Sequence, residues 1–274
     1  MTKVMHEWPL VLFASLAVAG GGLLAAQPML MALGASGSAE ARSQAAWAVG
    51  LLLVGLVVSL GHLGQSQRLL MVVRRFGVSR LSTEVVLAGA AIVAGAAYAL
   101  APLPVHGEPL LAWLTGVVSV VFLLSLGFVY RLRGQIAWLD PACIGPALTG
   151  LAFGFVARAA TAPAELSRTL GPTLALLAAD AVVFGARWIR IARIRPWLVP
   201  AHPAIFRFRH PLLTGRLLLT TLAPAALLTL GRATVADLLF GIGLLVDRLA
   251  FYGLAAQHTT EAEIARVEAA IEGR

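Results

Sequence analysis

The sequence predicts an all-α fold, a polytopic membrane bundle of about eight transmembrane helices, and three observations carry that expectation. The 274 residues are 59% hydrophobic and only 12% charged, whereas a soluble domain carries about 25% charged residues, so the chain lacks the polar surface that water requires. Apolar residues gather in runs near 9–32, 44–63, 84–101, 109–130, 142–160, 170–189, 211–230 and 235–256, most of them close to the ~20 residues that cross a bilayer core. Arginine and lysine concentrate in alternate connections, the bias expected of a multi-pass protein.

The first run begins at Trp8 and continues past Met29 with no small-residue cleavage site behind a short apolar core, which predicts a retained helix and not a removed leader. Gly34 to Ser38 supply a flexible connection, Pro102 and Pro104 stop the third helix, and Asp140-Pro141 turns the chain into the fifth. Lys3, Arg68, Arg74, Arg75, Arg80, Arg131, Arg133, Arg187, Arg190, Arg193, Arg195, Arg207 and Arg209 fall on one face, against Arg42, Arg158, Arg168 and Arg232 on the other. That imbalance places the even-numbered connections and both termini on the cytoplasmic side of a bacterial inner (cytoplasmic) membrane. An odd number of spans would break the alternation, so helix count and orientation support each other. Residues 1–256 then form the transmembrane domain. Residues 257–274 form a short cytoplasmic tail with mixed charge and an amphipathic pattern around Glu261 to Ile271.

A net charge of +8 would suggest nucleic-acid binding in a soluble protein. Here the arginines stand at helix ends, where they set topology and meet membrane lipids, so no nucleic-acid partner is expected. The single cysteine, Cys143, excludes a disulfide framework and an iron-sulfur cluster held by this chain alone. Of the histidines at 6, 62, 106, 202, 210 and 258, His62 alone stands near a helix end at a depth suited to a haem, so no haem is expected. No phosphate loop, zinc spacing or nucleophile elbow appears. Gly20-Gly21-Gly22 and the Gly150 and Gly154 pair read as close helix packing within one bundle.

Two ionisable residues bracket the connection between the second and third spans: His62 at the end of one helix and Glu84 at the start of the next. The connection carries Arg68, Arg74, Arg75 and Arg80. A histidine titrating near neutrality beside a carboxylate suits the two protons of a quinone reaction. The alternative is helix capping, with the acid favoured at the positive end of the dipole. Arg158, Asp180, Arg216, Asp247 and Arg248 lie within spans, and a charge facing lipid at mid-depth costs at least about 2.5 kcal/mol. They are expected to face protein and to form buried Asp-Arg pairs. Asp247 and Arg248, about 100° apart around a helix, are not expected to share a partner. A secondary transporter using Asp180, Asp247 and Arg158 near the midplane is a rival reading, although no internal repeat supports it.

Four segments then point to a family. His6-Glu7-Trp8-Pro9-Leu10, His62-Leu63-Gly64, Gly77 through Glu84 (Gly-Val-Ser-Arg-Leu-Ser-Thr-Glu), and Arg248 with Phe251-Tyr252-Gly253-Leu254 resemble, in that order, the DmsC family. These are the membrane anchor subunits of dimethyl sulfoxide reductase and related molybdenum enzymes, sulfite-oxidising complexes included. The middle of the chain, from about Pro102 to Gly231, agrees in hydropathy alone. The resemblance implies an eight-helix anchor that binds an iron-sulfur electron-transfer subunit and a molybdopterin catalytic subunit and exchanges electrons with a quinone, menaquinone or ubiquinone. It also implies that His62 and Glu84 form the quinone site, with Arg80 beside the headgroup or the partner's cluster. Both sulfite oxidation and dimethyl sulfoxide-type reduction fit this frame; the cytoplasmic basic loops favour a cytoplasmic catalytic arm, and sulfite oxidation is the preferred of the two. A purely structural anchor is the remaining alternative.

Overall fold

The computed structural model describes residues 8–63, 76–101, 107–129, 143–193, 199–200, 203–254 and 256–257, with the single positions 264, 268 and 271; the side chains of 60–63, 129, 199–200 and 256–257 lie outside that description. The described chain is a helical membrane bundle: α1 (Trp8–Ala32), α2 (Ser38–Leu63), α3 (Arg80–Leu100), α4 (Glu108–Val129), α5 (Gly145–Thr161), α6 (Leu166–Ala192), α7 (Arg209–Thr229) and α8 (Ala233–Gly253). Six of them, α1 to α4, α6 and α7, are long and apolar enough to cross a membrane. Of the other two, α5 has 17 residues, and α8 carries Asp237, Asp247 and Arg248. Val199–Pro200 pairs antiparallel with Ala256–Gln257 at one end of the bundle. The 257–274 tail lies outside the described residues apart from Ile264, Glu268 and Ile271, all exposed.

Helix α1 is the hub. Every residue from Ala17 to Pro28 is buried, as an all-round apolar helix must be when it stands in the middle of its neighbours. The three consecutive glycines explain how several neighbours reach it. Successive residues point about 100° apart. A Cβ at Gly20 would lie 2.7 Å from the Ala48 carbonyl of α2, and one at Gly21 would lie 2.9 Å from Leu123 of α4. A Cβ at Gly22 would overlap the backbone of Gly150 in α5, where one at Gly154 would in turn meet the Gly22 carbonyl at 2.5 Å. Small residues let backbones touch where no water-driven force presses helices together. The Gly150 and Gly154 pair thus packs inside the bundle, as expected.

Gly22→Val therefore drives two backbones apart, and Gly21→Ala asks a leucine side chain to move. The first should destabilise the bundle by about 3 kcal/mol, the upper part of the overpacking range, and the second by about 1 kcal/mol. Thermal unfolding midpoints of the purified chain in detergent check the order; a Gly22→Val protein as stable as Gly21→Ala would refute the assignment.

One end of the bundle is stitched by ion pairs. Two helices there close with glycine in the left-handed region: Gly34 (φ 64°) after α1 and Gly231 (φ 71°) after α7. In each, the residue after the glycine donates its N–H to a carbonyl five residues back, Ala35 to Leu30 and Arg232 to Leu227, the Schellman pattern. Arg158 bonds the Ala35 carbonyl at 2.6 Å and pairs with Glu40. Arg168 bonds the Gly34 carbonyl and Glu165, each at 2.7 Å, and Arg42 pairs with Glu108 at 3.3 Å. Three of the four arginines that the sequence assigns to this face are thus matched by acids.

Inside α7 the residues Leu218–Leu222 form a π turn, with Pro224 just behind it. Proline has no N–H to donate and its ring crowds the preceding turn, which widens there to accommodate it. Gly243 of α8 lets the two helices meet at that widened turn, since a Cβ there would lie 2.5 Å from Thr220.

Candidate functional site

Glu84 enters the bundle interior. It lies on the buried stripe Glu84, Ala88, Ala91, Gly95, Tyr98 of α3, spaced by three and four so that all five share one face. It is 2% exposed and its Oε2 has no hydrogen-bond partner among the described residues. Capping does not account for it. The N-cap of α3 is Ser79, without a side-chain cap bond, and no acid occupies the first turn; Thr83 ties the helix start, donating to the Ser79 carbonyl at 3.1 Å and accepting from the Gly77 N–H at 3.3 Å.

A Cβ at Gly95 would lie 2.9 Å from Val49 of α2. Counted from that contact along two antiparallel helices, Glu84 stands level with Leu60, in the same turn as His62. The His62 side chain lies outside the described residues, as do Arg68, Arg74 and Arg75. Arg80 opens α3 and is exposed.

A second polar assembly lies between α5, α6, α7 and α8. Arg216, 2% exposed, is its centre. Its Nη1 lies 2.8 Å from Asp180 Oδ2, an ion pair whose angle is poor for a hydrogen bond, and its Nη2 donates to Asp180 Oδ1 at 2.9 Å and to the Thr149 hydroxyl at 3.1 Å. Thr149 in turn donates to Asp180 Oδ1 at 2.6 Å. Arg216 Nε donates to Asp247 Oδ1 at 3.1 Å, while Arg248 turns both Nε and Nη2 onto Asp247 Oδ2. Arg187 of α6 approaches Asp247 Oδ1 at 3.8 Å. Aromatic faces close the assembly: Phe184 lies 4.2 Å from the Arg216 guanidinium, and Phe251 lies 4.9 Å from that of Arg187 and 5.2 Å from that of Arg248.

This arrangement contains the expected buried Asp-Arg pairs and changes two other expectations. Asp247 and Arg248 do not converge on a third group but bond each other, because a long arginine side chain can fold back onto its neighbour. Arg187 does not belong to a surface connection; α6 continues to Ala192, and Arg187 is buried within it. Arg158 stands in the last turn of α5 at the stitched end, paired with Glu40, so the trio Asp180, Asp247 and Arg158 never gathers. Both aspartates are engaged by arginine, and the transporter reading loses its constellation. Among the described residues, no three His, Cys, Asp or Glu side chains gather where a metal ion could be held.

The family model described as DMSO reductase anchor subunit (DmsC) matches residues 1–184, two thirds of the chain. The chain belongs to the DmsC family. It is therefore a multi-pass membrane protein and an anchor subunit of a dimethyl sulfoxide reductase-type complex, whose place is beside catalytic and iron-sulfur subunits. The DmsC match spans His62, Arg80 and Glu84 and extends over Pro102 to Phe184, part of the region where hydropathy alone was expected to agree. It stops before Arg187, Arg216, Asp247 and the Phe251 to Leu254 segment. No curated protein matches this DmsC chain.

Proposed function

We propose that this DmsC anchor exchanges electrons between the quinone pool and an iron-sulfur subunit, at a site where α2 and α3 meet the basic end of the bundle. The observation that carries the reading is Glu84, a carboxylate on the interior face of α3 with one oxygen that has no hydrogen-bond partner among the described residues. Buried polar atoms of this kind are few in folded proteins, and each asks for a reason. A quinone oxygen or hydroxyl at that oxygen gives one. The fit is chemical: a carboxylate accepts a bond from a quinol hydroxyl and, once protonated, donates one to a quinone carbonyl.

When bound, the quinone supplies the two-electron, two-proton couple. The chain's own residues orient it and move protons. Glu84 holds one proton at its carboxylate, and His62, one helix turn level with it, handles the second. Arg80, exposed at the mouth of the site, meets the headgroup or the docked cluster protein.

The basic end is the cytoplasmic one in this reading, with both termini there and the protein in a bacterial inner membrane. Three arginines at the opposite end are matched by Glu40, Glu108 and Glu165, so the excess positive charge is left for the end where the iron-sulfur subunit docks and carries electrons to or from the molybdopterin subunit. Complementary charge steers such docking. Sulfite oxidation, with quinone reduced, is preferred to dimethyl sulfoxide-type reduction, with quinol oxidised.

The test is extraction of quinone from the complex purified with its partner subunits. The wild-type complex should carry about one quinone per anchor, and Glu84→Leu, which removes both acceptor and donor, should lose most of it without losing subunits. Equal quinone in both preparations would remove Glu84 from the site, a wild-type complex without quinone would leave a structural anchor, and a partner protected on the opposite membrane face in labelling experiments would overturn the docking.

A further inference from the structure

The cluster around Arg216 does not balance its own charge. Among the described residues, two carboxylates, Asp180 and Asp247, face three guanidinium groups, Arg187, Arg216 and Arg248, and all five residues are 5% exposed or less. Arginine does not lose its proton in proteins, so one positive charge is in excess. Beside the cluster stand buried hydroxyls that carry no charge: Thr149 of α5, Thr220 and Thr221 of α7, and Ser15 of α1, which reaches the Leu244 carbonyl at 3.4 Å. The other carboxylate of α8, Asp237, stands ten residues before Asp247, about 15 Å away along the helix axis, and Arg158 of α5 is paired with Glu40 at the stitched end.

The excess is localised on Arg187. Arg216 and Arg248 both direct Nε and Nη2 at carboxylates. On Arg187 the same two atoms, Nε and Nη2, are buried without a hydrogen-bond partner among the described residues. They form the planar fork of two parallel N–H groups that matches a carboxylate's two oxygens. Arg187 stands five residues before the end of α6, so its Cα lies about 8 Å of helix axis below that end. Phe251 packs on the guanidinium face, which leaves the edge as the direction for a ligand.

We infer that the Arg187 fork binds a small, planar, singly charged oxyanion of the carboxylate type, which neutralises the cluster and locks α6 against α7 and α8. This site is separate from the proposed quinone site. It lies on α6, whereas Glu84 lies on α3, and those two helices are not extensively packed against each other.

The experiment uses the full chain purified in detergent, with sodium formate as probe and sodium gluconate holding ionic strength constant. Formate should raise the unfolding midpoint of the wild type by roughly 5–10 °C at about 100 times its dissociation constant, and 13C-formate should broaden on adding protein. Arg187→Gln should lose both responses, and Arg187→Lys, which keeps the charge without the fork, should lose most of the formate effect. An unresponsive wild type with no line broadening overturns the proposal. So does a formate response that appears only after Glu261, Glu263, Glu268 and Glu272 are changed to Gln, because the counter-charge is then a tail carboxylate and not a free anion. The line-broadening measurement needs no variant, and its absence overturns the proposal even where Arg187 variants fail to fold.

Discussion

Glu84→Ala is expected to lower quinone-linked turnover of the assembled complex by about 100-fold or more, the lower end of what a positioned general acid or base contributes, while dye-linked activity of the catalytic subunit stays within twofold. The split follows from location. Glu84 sits in the anchor, at the head of the buried stripe that continues through Ala88, Ala91, Gly95 and Tyr98 of α3, and an artificial donor or acceptor that serves the catalytic subunit directly bypasses it. His62→Ala should give the same split. Glu84→Gln separates catalysis from folding: it keeps the shape, removes the need to bury an ionisable group, and should leave the bundle at least as stable as the wild type. Turnover with quinone and turnover with dye, measured on the same preparation, check the result. Equal loss of both would assign Glu84 to assembly, and loss of neither would remove it from the site.

Helix positions were legible because each is a run of apolar residues with ordinary stops, and the eight runs coincide with the eight long helices to within a few residues. The largest difference lies at the start of α2. Ser38 to Gln44 is polar, so the apolar run opens late, yet Glu40 and Gln44 are held by Arg158 and Gln27 and the helix begins at Ser38. Tertiary partners, invisible to hydropathy, set that boundary. The π turn in α7 has a sequence sign in Pro224, but its consequence, a close approach of α8 through Gly243, depends on which helix lies alongside.

The two candidate regions were legible to different degrees. Glu84 is visible as an acid at the head of an apolar run, and its burial follows from the stripe it begins. No described residue partners its second oxygen. The charge cluster carried a readable sign that hydropathy hides: Thr169, Thr173, Leu177, Asp180, Phe184, Arg187 and Ile191 repeat by three and four along α6, so Arg187 belongs on the same buried face as Asp180, two turns on. Counting Arg187 as a topology signal at a helix end overlooked that phase. Arg158 shows the reverse error. Its type suggested a membrane-centre charge, whereas its place in the last turn of α5 made it a staple for the Ala35 connection. Residue type gives the cost of burial, and phase and depth decide who compensates it.

Asp247→Ala should be the most damaging single change in the second half of the bundle. One carboxylate there serves Arg216 through Oδ1 and Arg248 through Oδ2, with Arg187 at 3.8 Å. Removing it leaves three guanidinium groups against Asp180 alone, in a region 5% exposed or less. Breaking one buried pair costs about 3–5 kcal/mol, and this change breaks two while adding to an existing excess of charge, so the expected loss reaches the top of that range. The chain should fail to accumulate in the membrane, read as protein recovered per cell and as early unfolding in detergent. Arg248→Met added to Asp247→Ala should restore part of the loss, because it returns the cluster to a single excess charge and fills the space with an unbranched apolar side chain. Arg158→Met added to Asp247→Ala should restore nothing, since Arg158 pairs with Glu40 at the other end. If the two second changes rescue equally, the cluster is not a unit. Rescue by Arg248→Met alone would show that charge balance, more than any one contact, holds α6, α7 and α8 together.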